Sequence, residues 1–153
     1  MAKIQGRLLQ CNGGFYYVEA AGAVYECRAR GVFRKQGMTP LAGDMVCIEP
    51  QGDAVGTLTD ILPRKNALIR PPLANLDILF IAMASASPAP LLSTVDKLIF
   101  IAEFNNIEPV IVIGKSELDP AKTSSIADIY RTAGFTVFTL SALHGDGVDE
   151  ISN

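Results

Sequence analysis

Pro109-Val110-Ile111-Val112-Ile113-Gly114-Lys115-Ser116-Glu117-Leu118-Asp119 decides the fold of the second half of this 153-residue chain. Val110 to Ile113 are apolar and β-branched without alternation, which is the pattern of a strand covered on both faces. The run stops abruptly in a polar turn that carries Lys115 and Glu117. In open α/β sheets ligands bind just beyond the carboxyl ends of the strands. Lys115 and Glu117 therefore stand where a ligand is expected.

Outward from this stretch, strands and helices alternate. Ile78 to Ala84 reads as a buried strand. Leu91, Val95, Leu98, Ile99 and Ala102 recur at helical spacing, and Asn105-Asn106 ends that helix. Asp119-Pro120 reads as an N-cap followed by proline at the first helical position. Ile126, Ile129, Tyr130 and Ala133 supply the buried face of this second helix, and Gly134 stops it. Phe135 to Leu140 is a further strand, ending in Ser141-Ala142-Leu143-His144-Gly145-Asp146-Gly147. Strand–helix–strand–helix–strand predicts a parallel sheet with right-handed crossovers. Val148 to Ile151 reads as the start of another helix, so the chain is expected to be the front part of a longer protein.

Gly114-Lys115-Ser116 matches the end of the phosphate-binding pattern G-x-x-x-x-G-K-[ST], yet the geometry excludes it. The first glycine would fall on Pro109, and the four intervening residues are the strand itself. A phosphate cradle needs a glycine-rich turn leading at once into a helix. Here the helix starts only near Pro120. A base-recognition loop suits the residues better. A carboxylate can accept two hydrogen bonds from the N1–H and N2–H₂ edge of guanine, whereas it meets only an acceptor at N1 of adenine. A lysine two residues earlier can lay its stem across the base. Amides of Ser141, Ala142 and Leu143, at the next strand end, can be offered to the guanine O6.

The first half has a different texture. Ile4–Cys11, Phe15–Glu19, Val24–Ala29, Met45–Glu49 and Val55–Leu62 are short strands separated by turns such as Asn12-Gly13-Gly14. Five strands in about sixty residues predict a small barrel, an OB-fold or an SH3-like barrel, which strand count does not separate. Arg7, Arg28, Arg30, Arg34 and Lys35 are candidate RNA phosphate contacts or else solvated charges. Tyr16, Tyr17, Tyr25 and Phe33 are candidate stacking surfaces, with filling of the barrel the favoured role. Pro71-Pro72 continues neither a helix nor a central strand, so the domains are expected to span 1–70 and 71–153. In the join, Arg64, Lys65 and Arg70 either extend the basic surface or keep a linker soluble.

Bulk properties agree with two small domains. Apolar residues make up 49% of the chain and charged residues 19%, enough for packed cores and against disorder. Residues 1–72 hold nine Lys/Arg against six Asp/Glu, a charge of +3, whereas residues 73–153 hold four against ten, −6. Such asymmetry points to a nucleic-acid-facing module joined to something else. No apolar run approaches the ~20 residues of a membrane helix. The N-terminal residues lack the apolar core of a signal peptide, and a cytoplasmic protein is expected. Cys11, Cys27 and Cys47 are widely spaced and form no C-x-x-C pair, so buried thiols are expected rather than zinc ligands. His144 reads as a loop residue.

Longer segments carry a more specific signal. Arg30-Gly31-Val32-Phe33-Arg34-Lys35, then Pro40-Leu41-Ala42-Gly43-Asp44-Met45-Val46, resembles the OB-fold of the circularly permuted GTPases that depend on the small ribosomal subunit and act in its assembly. Arg64-Lys65-Asn66-Ala67-Leu68-Ile69-Arg70-Pro71 and Asn75-Leu76-Asp77 resemble that family's linker. Its base-recognition N-K-x-D falls on Gly114-Lys115-Ser116-Glu117, and its S-A loop on Ser141-Ala142. The resemblance spans nearly the whole chain. It implies an all-β OB-fold barrel followed by a partial α/β parallel-sheet domain, the base-recognition half of a permuted P-loop GTPase. It implies nucleotide contacts from Gly114, Lys115, Glu117, Ser141, Ala142 and Leu143.

A parent protein hydrolysing GTP with magnesium on the small ribosomal subunit and its rRNA is also implied, as a monomer, with zinc held by the family's C-terminal segment. Two departures stand out: Gly114 replaces a bracing asparagine, and Glu117 replaces aspartate, setting the carboxylate one methylene further out. With no phosphate cradle in these residues, the chain alone is expected to be inactive as a hydrolase. The alternative is a stand-alone OB-fold RNA-binding module with a degenerate, non-catalytic nucleotide site.

Overall fold

The structure, a computed structural model, describes residues 3–29, 31 and 38–152. The chain divides into two compact units, Met1–Leu76 and Asp77–Asn153.

In the first unit, β1 (Ile4–Asn12), β2 (Phe15–Ala20), β3 (Ala23–Ala29), β4 (Met45–Gly52) and β5 (Val55–Ile61) form a closed barrel in the order β1-β2-β3-β5-β4. Every neighbouring pair is antiparallel except β3 with β5, which is parallel. This strand order is that of the OB-fold, and it separates the two barrels that strand count left open. Alternation along each strand sends Leu8, Val18, Ala20, Cys27, Val46, Ile48 and Leu58 into one core, with Tyr16 and Tyr25 packed against it. Of the three cysteines only Cys27 is buried. Cys11 is exposed and Cys47 half-buried, because both sit where the alternation leaves the core face.

The segment after the barrel is tied to it rather than free. β6 (Ala67–Leu68) and β7 (Leu73–Ala74) pair as a small hairpin, with Pro71-Pro72 in its turn. Asn66 brackets Leu76, its Oδ1 accepting from the Leu76 amide at 2.8 Å and its Nδ2 donating to the carbonyl at 2.7 Å. Asn75, at φ +56°, accepts from the Lys65 amide and donates to the Gly43 carbonyl. Gly43 lies so close to Ala74 that a Cβ would overlap its carbonyl oxygen. Arg64 stays solvent-accessible, its side chain 30% exposed, yet it is not free. It forms a two-pronged ion pair with the fully buried Asp44.

In the second unit, β8 (Ile78–Ala84), β9 (Glu108–Gly114) and β10 (Thr136–Thr139) form a parallel sheet in the order β10-β9-β8. Helix α1 (Leu92–Phe104) connects β8 to β9, α2 (Pro120–Thr132) connects β9 to β10, and α3 (Val148–Ser152) follows. One core holds Ile81, Ile111, Ile113 and Val137 from the strands with Val95, Ile99, Ile126, Ala127 and Tyr130 from α1 and α2. Both helices therefore share a single core with the same row of strand residues.

Three expectations are corrected. The strand Ile78–Ala84 is not buried on both faces: Ile78, Phe80 and Ala82 are exposed, because α1 and α2 both pack on the face that carries Leu79, Ile81 and Met83. On α1, Val95, Ile99 and Ala102 are buried as expected, but Leu91 and Leu98 are exposed. On α2 the buried set is Thr123, Ile126, Ala127 and Tyr130, with Ile129 and Ala133 outside it.

Candidate guanine-recognition site

The site is built on two adjoining strand ends. Parallel register sets Thr136 to Thr139 of β10 beside Val110 to Ile113 of β9. The turn after β9 and the loop after β10 therefore emerge side by side. They are laced together: the Leu140 amide donates to the Ile113 carbonyl at 2.9 Å, and the Ser116 amide to the Leu140 carbonyl at 3.2 Å.

Gly114 ends β9 with ordinary backbone angles, and a Cβ there would meet Leu140 Cδ1 at 3.7 Å and the Met83 carbonyl at 3.8 Å. Lys115 turns the chain at φ +56°, a left-handed conformation that a lysine adopts only when its surroundings enforce it. Ser85, completely buried at the end of β8, supplies that enforcement. Its amide donates to the Gly114 carbonyl at 3.0 Å and its hydroxyl to the Lys115 carbonyl at 2.8 Å. The exposed Lys115 ammonium donates to the Ser87 carbonyl at 2.6 Å. Lys115 is thus tethered at both its backbone and its tip by the loop after β8. Nothing in the sequence around Ser85 marks it for this role, since its partners lie thirty residues on.

Glu117 is half-buried, and its Oε2 is withdrawn from solvent without a hydrogen-bond partner. The Ser141 hydroxyl, foremost, and the glutamate's own amide hold its carboxyl below the usual range, with His144 and Lys115 adding to the effect. A carboxylate kept charged, with one oxygen unsatisfied, is suited to a ligand that brings hydrogen-bond donors.

The loop after β10 folds back on itself. Ser141 is buried; its amide donates to the Asp146 carbonyl at 3.0 Å and its carbonyl accepts from Gly145 at 2.8 Å. The Ser141 amide is therefore committed within the loop, whereas Ala142 and Leu143 lie exposed at its rim. Gly147, at φ +73°, packs against the Thr139 carbonyl so closely that a side chain would overlap it. Asp119 is occupied as expected, accepting from the Lys122 amide at 2.9 Å as the N-cap of α2. Among the described residues no cluster of three His, Cys, Asp or Glu side chains is placed to hold a metal ion.

Of the candidate RNA contacts, Arg7 and Arg28 are exposed on the barrel wall. They face opposite ends of β2, Arg7 beside Glu19 and Arg28 beside Phe15, about 13 Å apart at the rise of a strand. Arg30, Phe33, Arg34 and Lys35 lie outside the described residues. Tyr17 points outward and its hydroxyl donates to Glu26 Oε2 at 3.2 Å. Phe15, not singled out in the sequence, has the Arg28 guanidinium carbon 4.9 Å from its ring centroid.

An OB barrel followed by parallel strands whose ends carry a lysine–carboxylate turn and a Ser-Ala loop is the domain order of circularly permuted GTPases. Comparison with known proteins agrees. The model of the RsgA N-terminal domain matches residues 5–58 and that of the RsgA GTPase matches residues 61–153. The chain belongs to the RsgA family. The small ribosomal subunit biogenesis GTPase RsgA of Caldanaerobacter subterraneus subsp. tengcongensis is 39% identical, over 100% of this chain and 52% of that protein. That of Moorella thermoacetica is 39% identical over 97% of this chain and 51% of its own length. The chain thus spans about half the length of these relatives. Among solved structures, YjeQ from Thermotoga maritima matches with a TM-score of 0.87 and 27% identity, covering 99% of this chain and 56% of the other. YloQ, a circularly permuted GTPase, matches at 0.80 and 32%, covering 99% and 55%. No helix among the described residues is long and apolar enough to cross a membrane.

Proposed function

We propose that this chain supplies the RNA-facing barrel and the guanine-reading half of a GTPase that acts in assembly of the small ribosomal subunit. The observation that carries the reading is Glu117: a carboxylate held in its charged form beside Ser141, with Oε2 shielded and unpartnered, at the joined ends of β9 and β10. It would accept from N1–H and N2–H₂ of guanine. The Lys115 stem would lie over the base, Gly114 would leave the base plane open, and the amides of Ala142 and Leu143 would meet O6. Ser141 would act through its hydroxyl on Glu117 rather than through its amide.

The residues do not fit the other groups the family implies. With no three-residue acidic, His or Cys cluster among the described residues and no glycine-rich phosphate turn in the sequence, magnesium and the nucleotide phosphates are assigned to parts of the parent protein outside these residues. The family's zinc is assigned likewise. By itself the chain is expected to bind guanine weakly and not to hydrolyse GTP. The barrel, through Arg7, Arg28, Arg30, Arg34 and Lys35, is assigned to rRNA, and the protein to the cytoplasm as a monomer.

The test is an amide NMR titration of the chain with guanosine monophosphate and, separately, adenosine monophosphate. Shifts confined to residues 114–117 and 142–143, seen with the guanine nucleotide and abolished in Glu117→Ala, support the reading. Equal responses to both nucleotides would sink it.

A further inference from the structure

The outer wall of the barrel carries an arrangement that guanine recognition does not use. Strand register places Asn12, Phe15, Arg28 and Thr57 in one row across β1, β2, β3 and β5. The adjoining row is Gln10, Tyr17, Glu26 and Val55. Alternation fixes the direction of these side chains. Tyr16, Val18, Tyr25 and Cys27 belong to the core, so Phe15, Tyr17, Glu26 and Arg28 point away from it. Arg28 sits over the Phe15 ring at 4.9 Å, and Tyr17 is fixed by its hydrogen bond to Glu26.

We propose that the Phe15–Arg28 pair, with Tyr17 in the next row, is a stacking site for unpaired nucleotides of single-stranded RNA. The inference rests on the reading of the barrel as RNA-facing and says which residues make the contact. A guanidinium held against an aromatic ring offers a planar cationic surface, on which a base stacks and near which its phosphate is favoured. Tyr17 gives the next base a second ring at strand spacing. The amides of Asn12 and Gln10, at the same end of each row, carry both donors and acceptors for base edges. Arg28 also precedes by two residues the stretch holding Arg30, Arg34 and Lys35, in a half of the chain that carries +3. Glu26 is the one anion in these two rows, so the phosphate is matched at the Arg28 end and the bases at the rings.

The experiment uses the 153-residue chain and a single-stranded RNA decamer bearing one 2-aminopurine. Fluorescence anisotropy reads affinity, and quenching of the 2-aminopurine reads stacking. The wild type should bind and quench. Phe15→Leu should weaken binding about tenfold and remove the quenching while leaving the salt dependence unchanged. Arg28→Gln should weaken binding and lower the salt slope by about 0.7. Arg7→Gln, at the far end of the wall, should lower the slope and leave quenching intact. Urea midpoints equal to wild type show that each variant folds. Binding without quenching, binding unchanged in Phe15→Leu, or preference for a duplex of the same sequence overturns the stacking site but spares the barrel's RNA role. Failure of the wild type to bind any RNA overturns both.

Discussion

Asp44 and Arg64 meet through two parallel hydrogen bonds, Nε to Oδ1 at 2.7 Å and Nη2 to Oδ2 at 2.8 Å, with the carboxylate fully buried. The Leu41 amide donates to Oδ2 at 2.7 Å, and Arg64 Nη2 also donates to the Thr39 carbonyl. The pair fastens the segment after β5 onto the β1–β4 side of the barrel. Removing Arg64 strands the fully buried Asp44 carboxylate in a dry site. Arg64→Met should cost about 3–5 kcal/mol, and the double change Asp44→Leu with Arg64→Met markedly less. Urea unfolding of the three proteins measures this. A loss below ~1 kcal/mol in Arg64→Met would show that the pair is not what fastens the segment.

Two glycines should respond in opposite ways. Gly43 has φ +92° and no room beside Ala74. Gly43→Ala combines strain with overlap and should cost more than about 2 kcal/mol. Gly114 has neither problem, its built Cβ meeting neighbours only at ordinary contact distance. Gly114→Asn should change stability by no more than about 0.5 kcal/mol. In the same variant the guanosine monophosphate response should strengthen, since an amide side chain there can brace the loops around the base. Thermal melts together with the NMR titration read both effects.

The central strand is legible because Val110 to Ile113 are apolar without alternation, and between β8 and β10 Val110, Ile111 and Ile113 are buried and Val112 half-buried. Ile78 to Ala84 is equally apolar, but nothing in it signals that Ile78, Phe80 and Ala82 lie on the sheet face away from α1 and α2. Helix α2 was misread by phase. Its buried face starts at Thr123, whose hydroxyl is satisfied by the Asp119 carbonyl at 2.8 Å, so a residue scored as polar occupies a core position. Ile129, at core spacing in the sequence, is exposed. At the site, Lys115 and Glu117 could be picked out from chemistry at a strand end. Ser85 and the Asp44–Arg64 pair could not, since each acts on a residue twenty or more positions away.

Tyr130 ties α2 to α1, its hydroxyl donating to Asp96 Oδ1 at 3.0 Å. Burial foremost, with the bond to Asp96, pushes its ionisation up to about 12. A group whose folded value is raised contributes stability that is complete below the unfolded value and is lost as pH rises through the folded one. Stability should therefore fall between pH about 10 and about 12, and Tyr130→Phe should blunt that fall. At neutral pH the same variant should lose about 0.5–1.5 kcal/mol, the net worth of one hydrogen bond. Urea midpoints across alkaline pH test both parts.

Glu117 has the opposite sign. Its carboxyl is held below the usual range by the Ser141 hydroxyl first and then by its own amide. The ordering it gives the β9 and β10 loops is present above the ordinary glutamate range and is lost as pH falls through the depressed folded value. In a pH titration by NMR, the Ser141 and His144 amides should move with a midpoint below the ordinary glutamate range. In Glu117→Gln that movement should vanish. Guanine recognition needs the same charge, so the guanosine monophosphate response should weaken through the same acidic window, while Glu117→Asp should retain it. A midpoint at or above the ordinary range would mean that Ser141 does not hold this carboxylate, and the base-reading role of Glu117 would lose its physical support.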